Sequence, residues 1–259
     1  MSPSDFAFDA LAATYDAHFT HSRIGTLMRR AVWQRLDSCF YPGHRVLELN
    51  CGTGEDAVYL GQRGVQVLAT DLSKAMLQVT RQKVARAGLT AMVQVQQLAL
   101  ENIAVLDGPL FDGALSNFGG LNCVADLAGV GRALAARLHR GALVLLCLMG
   151  PLVPWEWGWF LCHGAPGTAF RRLRPGGVAW RGLTIHYPSI RTLRRAFLPA
   201  FRLRRASAIG AILPPPFTER WIGKHFRLLA ILNRLERRLE ALPPLPWLAD
   251  HYVLELERM

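Results

Sequence analysis

The chain has 259 residues, 51% hydrophobic and 19% charged, which is enough apolar mass for a sizeable core and excludes a disordered or collagen-like chain. Thirty Lys and Arg against 19 Asp and Glu leave a formal charge of +11, which suits an acidic partner, an anionic membrane face or a phosphorylated substrate. Five scattered cysteines with no C-x-x-C pair exclude a disulfide scaffold and a cysteine zinc site, and no metal centre is expected.

The opening residues carry acids and no apolar run, so a secretory signal is not expected and a reducing cytoplasm is the default. Residues 5–40 are expected to be helical, since Leu11, Tyr15 and Phe19, then Ile24, Leu27, Met28, Ala31 and Val32 recur at three- and four-residue steps. Pro42-Gly43 punctuates. RVLEL (45–49) then reads as a short buried strand running into a glycine turn, 54–64 as a helix closed by Gly64, 65–71 as a strand and 72–89 as a helix. Strands follow over 91–99 and 111–118, a helix over 126–138 and a hydrophobic strand over 141–149. This alternation predicts an α/β fold with a mostly parallel sheet covered by helices on both faces. The longest run without charge near the middle, Gly141 to Trp155, is shorter than the ~18 residues of a spanning helix and contains Pro151 and Pro154, so no transmembrane span is expected.

After residue 150 the pattern changes. PLVPWEWGWF breaks the alternation, 171–189 reads as an irregular or hairpin segment, 192–201 as a helix and 201–210 as a strand. An amphipathic helix is expected over 217–242, with Trp221, Leu228, Leu232, Leu235, Leu239 and Leu242 along one stripe. A final strand covers 251–258, and there is no internal repeat.

The glycine-rich turn after the first strand lets backbone N–H groups approach a ligand closely. Asp71 ends the next strand about 20 residues on, where an acid can grip a ribose diol. Gly52 to Ala57 also fits the loose dinucleotide pattern G-x-G-x-x-G/A, so a nicotinamide oxidoreductase is an alternative. Glu55 and Asp56 open the following helix where a pyrophosphate would sit, and Glu48 adds a third acid. Three carboxylates disfavour a pyrophosphate and suit a sulfonium and an ammonium.

These residues resemble those of the class I S-adenosylmethionine-dependent methyltransferases, over roughly residues 10–150 and the final strands. The family's first motif reads here Glu48-Leu49-Asn50-Cys51-Gly52-Thr53-Gly54, and the acid of its second motif is Asp71, followed by Leu72. The resemblance implies a Rossmann-like sheet with a lid insertion after strand five. It implies one domain over 1–259, with an N-terminal helical lid (1–44), a cofactor-binding core (45–150) and acceptor-lid insertions at 151–190 and 211–250. The implied cofactor is S-adenosylmethionine, leaving as S-adenosylhomocysteine. Asn50, Cys51, Gly52 and Gly54 would cradle its methionine part, Glu48 its amino end and Asp71 its ribose. Leu72, Met76, Leu98 and Ala99 would line the adenine, Asn117 would lie beside the methionine, and Tyr15 would close over the cofactor. Asn50 replaces the first glycine of the turn, a substitution Asn tolerates because it adopts positive φ more readily than most residues. Leu98 stands where an acid is frequent.

The acceptor is less legible. A hydrophobic small molecule is expected, with O-methylation ahead of C-methylation. A membrane-associated lipid, quinone or prenyl phosphate is the alternative, with a peripheral membrane contact. An RNA methyltransferase or basic nucleic-acid-binding protein is a further alternative, disfavoured by the absence of an RNA-binding motif. A hydroxyl acceptor needs a base, and the candidates are His186 and His163 in the insertion and His18 and His21 beside the lid tyrosine. For any one of them a surface or structural role is the plainer reading. Asn122, Trp155 and Trp157 are candidate acceptor contacts, with a helix cap and a packed sheet edge as their structural alternatives. Ten arginines between Arg171 and Arg205 form either a solvated face or a phosphate contact.

Overall fold

The computed structural model describes residues 7–259. Five strands run parallel in the order β3-β2-β1-β4-β5, namely β1 (Arg45–Leu49), β2 (Gln66–Asp71), β3 (Val93–Gln97), β4 (Phe111–Ser116) and β5 (Leu138–Met149). The sheet then continues through β9 (His251–Arg258) to β8 (Phe201–Ile209), and β9 runs antiparallel to both neighbours. A separate hairpin, β6 (Val178–Trp180) and β7 (Leu183–Ile185), lies between β5 and β8 in the chain.

Alternation along each strand divides the core in two. Val46, Leu115, Leu145, Cys147 and Val253 face one side, while Leu47, Leu49, Ala114, Val144, Leu146 and Leu254 face the other. The first side is covered by α1 (Arg23–Cys39), α2 (Glu55–Gly61), α3 (Lys74–Arg86) and, through Leu229, α7 (Phe226–Leu239). The second is covered by α4 (Leu127–Arg137) and α6 (Ile190–Phe197). Both faces of the central strands are therefore dry, which is why they read as continuous apolar runs.

Three expectations are corrected. The helix expected over 5–40 is broken: turns at Asp9–Leu11 and Asp16–Thr20 precede α1, whose start is capped by Ser22 Oγ accepting from the N–H of Gly25. Positions 5 and 6 of that expected helix lie outside the described residues. The aromatic stretch after Pro151 is a helix, α5 (Pro154–Cys162), with its proline in the first turn, where no N–H is missed. The helix expected over 217–242 is interrupted between Ile222 and Phe226, and α7 is rotated so that its expected stripe is split, with Leu232 packed against the core. Trp221, Leu228, Leu235 and Leu242 are exposed, while Leu229 and Glu236 face the sheet. The Glu236 carboxylate decides that rotation by accepting N–H groups from Gly210, Ile212 and Leu213 at 2.7–2.8 Å.

Candidate functional site

Where strand order reverses, between β1 and β4, the carboxyl ends of neighbouring strands diverge and leave a crevice. A cavity of about 1040 Å³ opens there. Its floor is the turn after β1. Asn50 takes φ 55°, Gly52 55° and Gly54 77°, so Asn50 does adopt the left-handed conformation the turn requires. A Cβ on Gly54 would collide with Thr80, whereas one on Gly52 would meet nothing within 4 Å, so the backbone there borders open space. Asp71 locks the turn to β2: its Oδ2 accepts the N–H of Gly52 and its Oδ1 that of Ser73, each at 2.9 Å. Burial pushes the Asp71 carboxyl up, against these N–H groups.

Along the cavity wall lie Leu72, Met76, Leu98 and Ala99 on one side and Asn117 on the other, with Tyr15 from the N-terminal segment. Burial raises the Tyr15 phenol, partly offset by Arg29. The segment carrying it is fastened by Asp16, which accepts from Thr53 Oγ1 at 2.7 Å and Thr20 Oγ1 at 2.9 Å and pairs with Lys83 at 2.6 Å. Desolvation works against the Asp16 charge, but Lys83 and the hydroxyls outweigh it and hold this carboxyl below its usual value.

Beneath the turn is a buried polar cluster that the sequence did not disclose. Asp56 accepts from Arg29 Nη1 at 2.9 Å, Trp33 Nε1 at 2.6 Å and Asn117 Nδ2 at 2.8 Å. Burial disfavours the Arg29 charge and Asp56 more than restores it. One of the acids expected to repel a pyrophosphate is thus already neutralised. Glu48 differs: like Gly54 it stands outside the cavity lining, it is buried, its Oε2 has no hydrogen-bond partner among the described residues, and burial followed by Asp56 raises it well above its ordinary value.

The far end of the cavity is apolar, with Met149, Val178, Trp180, Leu183 and Ile185 beside Phe118, Cys123 and Tyr187. Arg171 brings a guanidinium into this wall, with Nη2 on Glu156 Oε1 at 2.8 Å. Four of these nine, Val178, Trp180, Leu183 and Ile185, come from the hairpin, where no periodicity marked them in advance.

The remaining candidates lie elsewhere. None of the four histidines lines the cavity. His18 is exposed, with Nδ1 2.8 Å from Thr14 O, and His21 is exposed 3.9 Å from Glu55. His163 stacks on Trp159 at 4.5 Å, and His186 contributes its backbone to Asn122. Asn122 neither lines the cavity nor caps a helix. Its Nδ2 donates to the carbonyls of Met149 and His186, and its Oδ1 accepts the Met149 N–H at 2.9 Å, joining β5 to the segment after β7. Trp155 and Trp157 stand outside the cavity lining, Trp157 packing on Phe170, and Trp180 lines the cavity instead.

Residues 46–141 match a family described as a methyltransferase domain. The chain is 30% identical over 179 residues to a demethylmenaquinone methyltransferase of Thermobifida fusca, covering 64% of this chain and 72% of that protein. The chain belongs to the class I S-adenosylmethionine-dependent methyltransferases. Another relative in this family, 28% identical over 104 residues, is the tRNA 5-carboxymethoxyuridine methyltransferase of Escherichia coli, with 39% of this chain and 40% of that one covered. The match spans between 40% and 60% of the length of the first three curated relatives. A solved S-adenosylmethionine-dependent methyltransferase from Listeria monocytogenes shares the fold, with TM-score 0.62 and 17% identity over 90% of this chain and 99% of that one. The residues present fit this family's cofactor: an unpartnered buried carboxylate oxygen on Glu48 suits an ammonium, and the open backbone at Gly52 suits a close-lying chain.

Proposed function

We propose that this protein transfers the methyl group of S-adenosylmethionine to a hydrophobic small molecule bound in the same cavity. One observation carries this reading: a single chamber joins the glycine turn and Asp71 to an apolar wall around Met149 and Trp180. Its volume of about 1040 Å³ lies at the top of the ~300–1,000 Å³ span of small-molecule sites, leaving room for two ligands. When bound, S-adenosylmethionine supplies an electrophilic methyl on its sulfonium.

Two of the lone pairs of Asp71 are taken by backbone N–H groups, and a carboxylate has about four, so ribose hydroxyls can be accepted by the rest. Leu72, Met76, Leu98 and Ala99 hold the adenine between apolar surfaces. Glu48 meets the ammonium, the Asn50–Gly54 turn and Asn117 flank the methionine part, and Tyr15 covers it. Residues 9–22 serve as the lid, and the chain between β5 and α6 encloses the acceptor.

Methyl transfer is an in-line displacement, so holding the acceptor in line supplies much of the acceleration. Oxygen attacks only after losing its proton. The described lining residues include no imidazole, and burial pushes the Cys123 thiol up to about 11, so neither group draws the proton at neutral pH. The site instead suits an acceptor whose hydroxyl ionises by itself, an acidic phenol or hydroquinone, with the Arg171 guanidinium favouring the oxyanion. O-methylation remains the preferred outcome and C-methylation beside that oxygen the second. The name of the Thermobifida relative supports a quinone-like acceptor.

The test is S-adenosylhomocysteine release over a panel of phenols and hydroquinones, with the product assigned by NMR. Acidic, apolar phenols should turn over, and Arg171→Gln should raise their KM about tenfold or more, with the pH optimum moving upward. Turnover confined to amines, or an Arg171→Gln variant with unchanged KM and pH profile, would overturn the acceptor assignment.

A further inference from the structure

Residues 217–242 contain three acids, and all three are consumed internally. Glu236 accepts three backbone N–H groups, Glu240 pairs with Arg35, Arg205 and Arg237, and Glu219 accepts the N–H groups of Arg23 and Ile24 at 3.0 and 3.1 Å. Five bases of the same segment, Arg220, Lys224, Arg227, Arg234 and Arg238, are exposed, and none has an ion pair among the described residues. Arg234 and Arg238 stand four apart on one helix, an unfavourable like-charge pair in water.

Beside this ridge lies an apolar surface. Leu228, Ile231 and Leu235 recur at three and four residues on α7, 44%, 60% and 45% exposed, about 70° round the helix from the arginines. Trp221 (65%) and Phe226 (63%) extend the exposed surface toward the start of the helix. Trp221 packs 6.2 Å from Trp159 of α5, the helix whose Glu156 pairs with Arg171 in the cavity wall. Arg23 Nη1 donates to Gly223 O at 2.7 Å, so the same segment is also tied to the start of α1 and the N-terminal turns. The surface therefore adjoins both coverings of the cavity.

We propose that α7 and the turn before it dock this protein on an anionic lipid bilayer. Trp221, Phe226, Leu228, Ile231 and Leu235 enter the boundary between headgroups and acyl chains, and the five bases meet lipid phosphates. A helix with an aromatic and aliphatic flank and a basic ridge has the character of an interfacial helix. Bases near such a surface are drawn to it by the negative potential of the anionic headgroups, an attraction that falls off within a Debye length. A second copy of the chain fits less well, since a two-fold contact would bring one arginine ridge toward another with no free acid to receive it. This docking surface stands independently of the proposed acceptor and carries any membrane-resident acceptor to the cavity.

The test is flotation of the full chain with phosphatidylcholine vesicles, with and without about 40% phosphatidylglycerol, in low salt and in about 0.5 M NaCl. Binding is expected only with the anionic lipid and should weaken about tenfold or more in high salt. Leu228→Ser/Ile231→Ser/Leu235→Ser and, separately, Arg227→Glu/Arg234→Glu should each abolish flotation. The substituted side chains are all exposed, so unfolding temperature and S-adenosylhomocysteine affinity should stay at wild-type values and certify the fold. No flotation at low salt with the anionic lipid, or equal flotation of both variants, would overturn the proposal. So would a concentration-dependent dimer that the serine variant abolishes, or tighter binding to RNA than to vesicles.

Discussion

Glu48 carries a cost that the fold retains. It is 1% exposed, one carboxylate oxygen is unpartnered, and burial, then Asp56, raises it well above 4.5. The folded protein therefore binds this proton more tightly than the unfolded chain does, so the contribution of Glu48 to stability is greatest below about 4.5 and is lost as pH rises toward the folded value. Glu48→Gln should raise the urea midpoint at pH 7 and leave it unchanged at pH 4. It should also weaken S-adenosylhomocysteine about tenfold or more by calorimetry, because a neutral amide cannot pair with an ammonium. Equal midpoints at both pH values would show that the burial cost is relieved elsewhere. Asp56 is fully engaged by hydrogen bonds: Asp56→Ala leaves Arg29 buried and unpaired, and should cost about 3–5 kcal/mol in denaturant unfolding. Arg29→Met/Asp56→Leu, which removes both charges, should recover part of that loss, because Trp33 Nε1 and Asn117 Nδ2 still lose their acceptor.

At the level of elements, the apolar half of the cavity depends on how the hairpin is attached to the sheet. Asn122 satisfies three backbone groups at that joint, the N–H and carbonyl of Met149 and the carbonyl of His186. Asn122→Ala leaves them unpaired and should cost about 1–3 kcal/mol. Because β6 and β7 line the apolar end proposed for the acceptor and not the turn end, acceptor KM should rise severalfold while S-adenosylhomocysteine affinity stays within about twofold. Loss of cofactor affinity to the same extent would mean that the two halves of the cavity move together. Arg172 reinforces the neighbouring joint, with Nη2 on Glu156 Oε1 at 2.6 Å and on Asp250 Oδ1 at 2.5 Å, linking α5 to the start of β9.

Over the whole molecule, two cores share one sheet, and the ligand crevice lies at one end of both. No helix among the described residues is long and apolar enough to cross a membrane. Ligand held between the turn after β1 and the N-terminal segment should stabilise the folded chain. S-adenosylhomocysteine at about 100 times its Kd should add about 2.7 kcal/mol and should slow amide exchange over residues 9–22. Asp16→Asn, which gives up the Lys83 ion pair, should keep most of the thermal gain and lose most of the exchange protection. Unchanged exchange in the wild type on ligand binding would show that these turns do not close over the cavity.

The parallel strands and the glycine turn were legible because they rest on local chemistry. Dry central strands need unbroken apolar runs, a left-handed turn selects Asn50, Gly52 and Gly54, and an acid at the end of the next strand is recognisable by spacing alone. The insertion was not legible in this way, since Trp180 and Arg171 acquire their place only when a short hairpin folds over the crevice. The histidines show the converse, being prominent in the sequence and absent from the described lining. The rotation of α7 depended on distant partners: its leucines fit either an inward or an outward stripe, and three N–H groups near the end of β8 drew Glu236 inward and left Trp221 and Leu228 outside. Local patterns in the chain were enough for the parallel strands, the glycine turn and the family. Which side chains meet across the cavity was settled by the folded arrangement, because burial and pairing between residues far apart in the chain have no period to read.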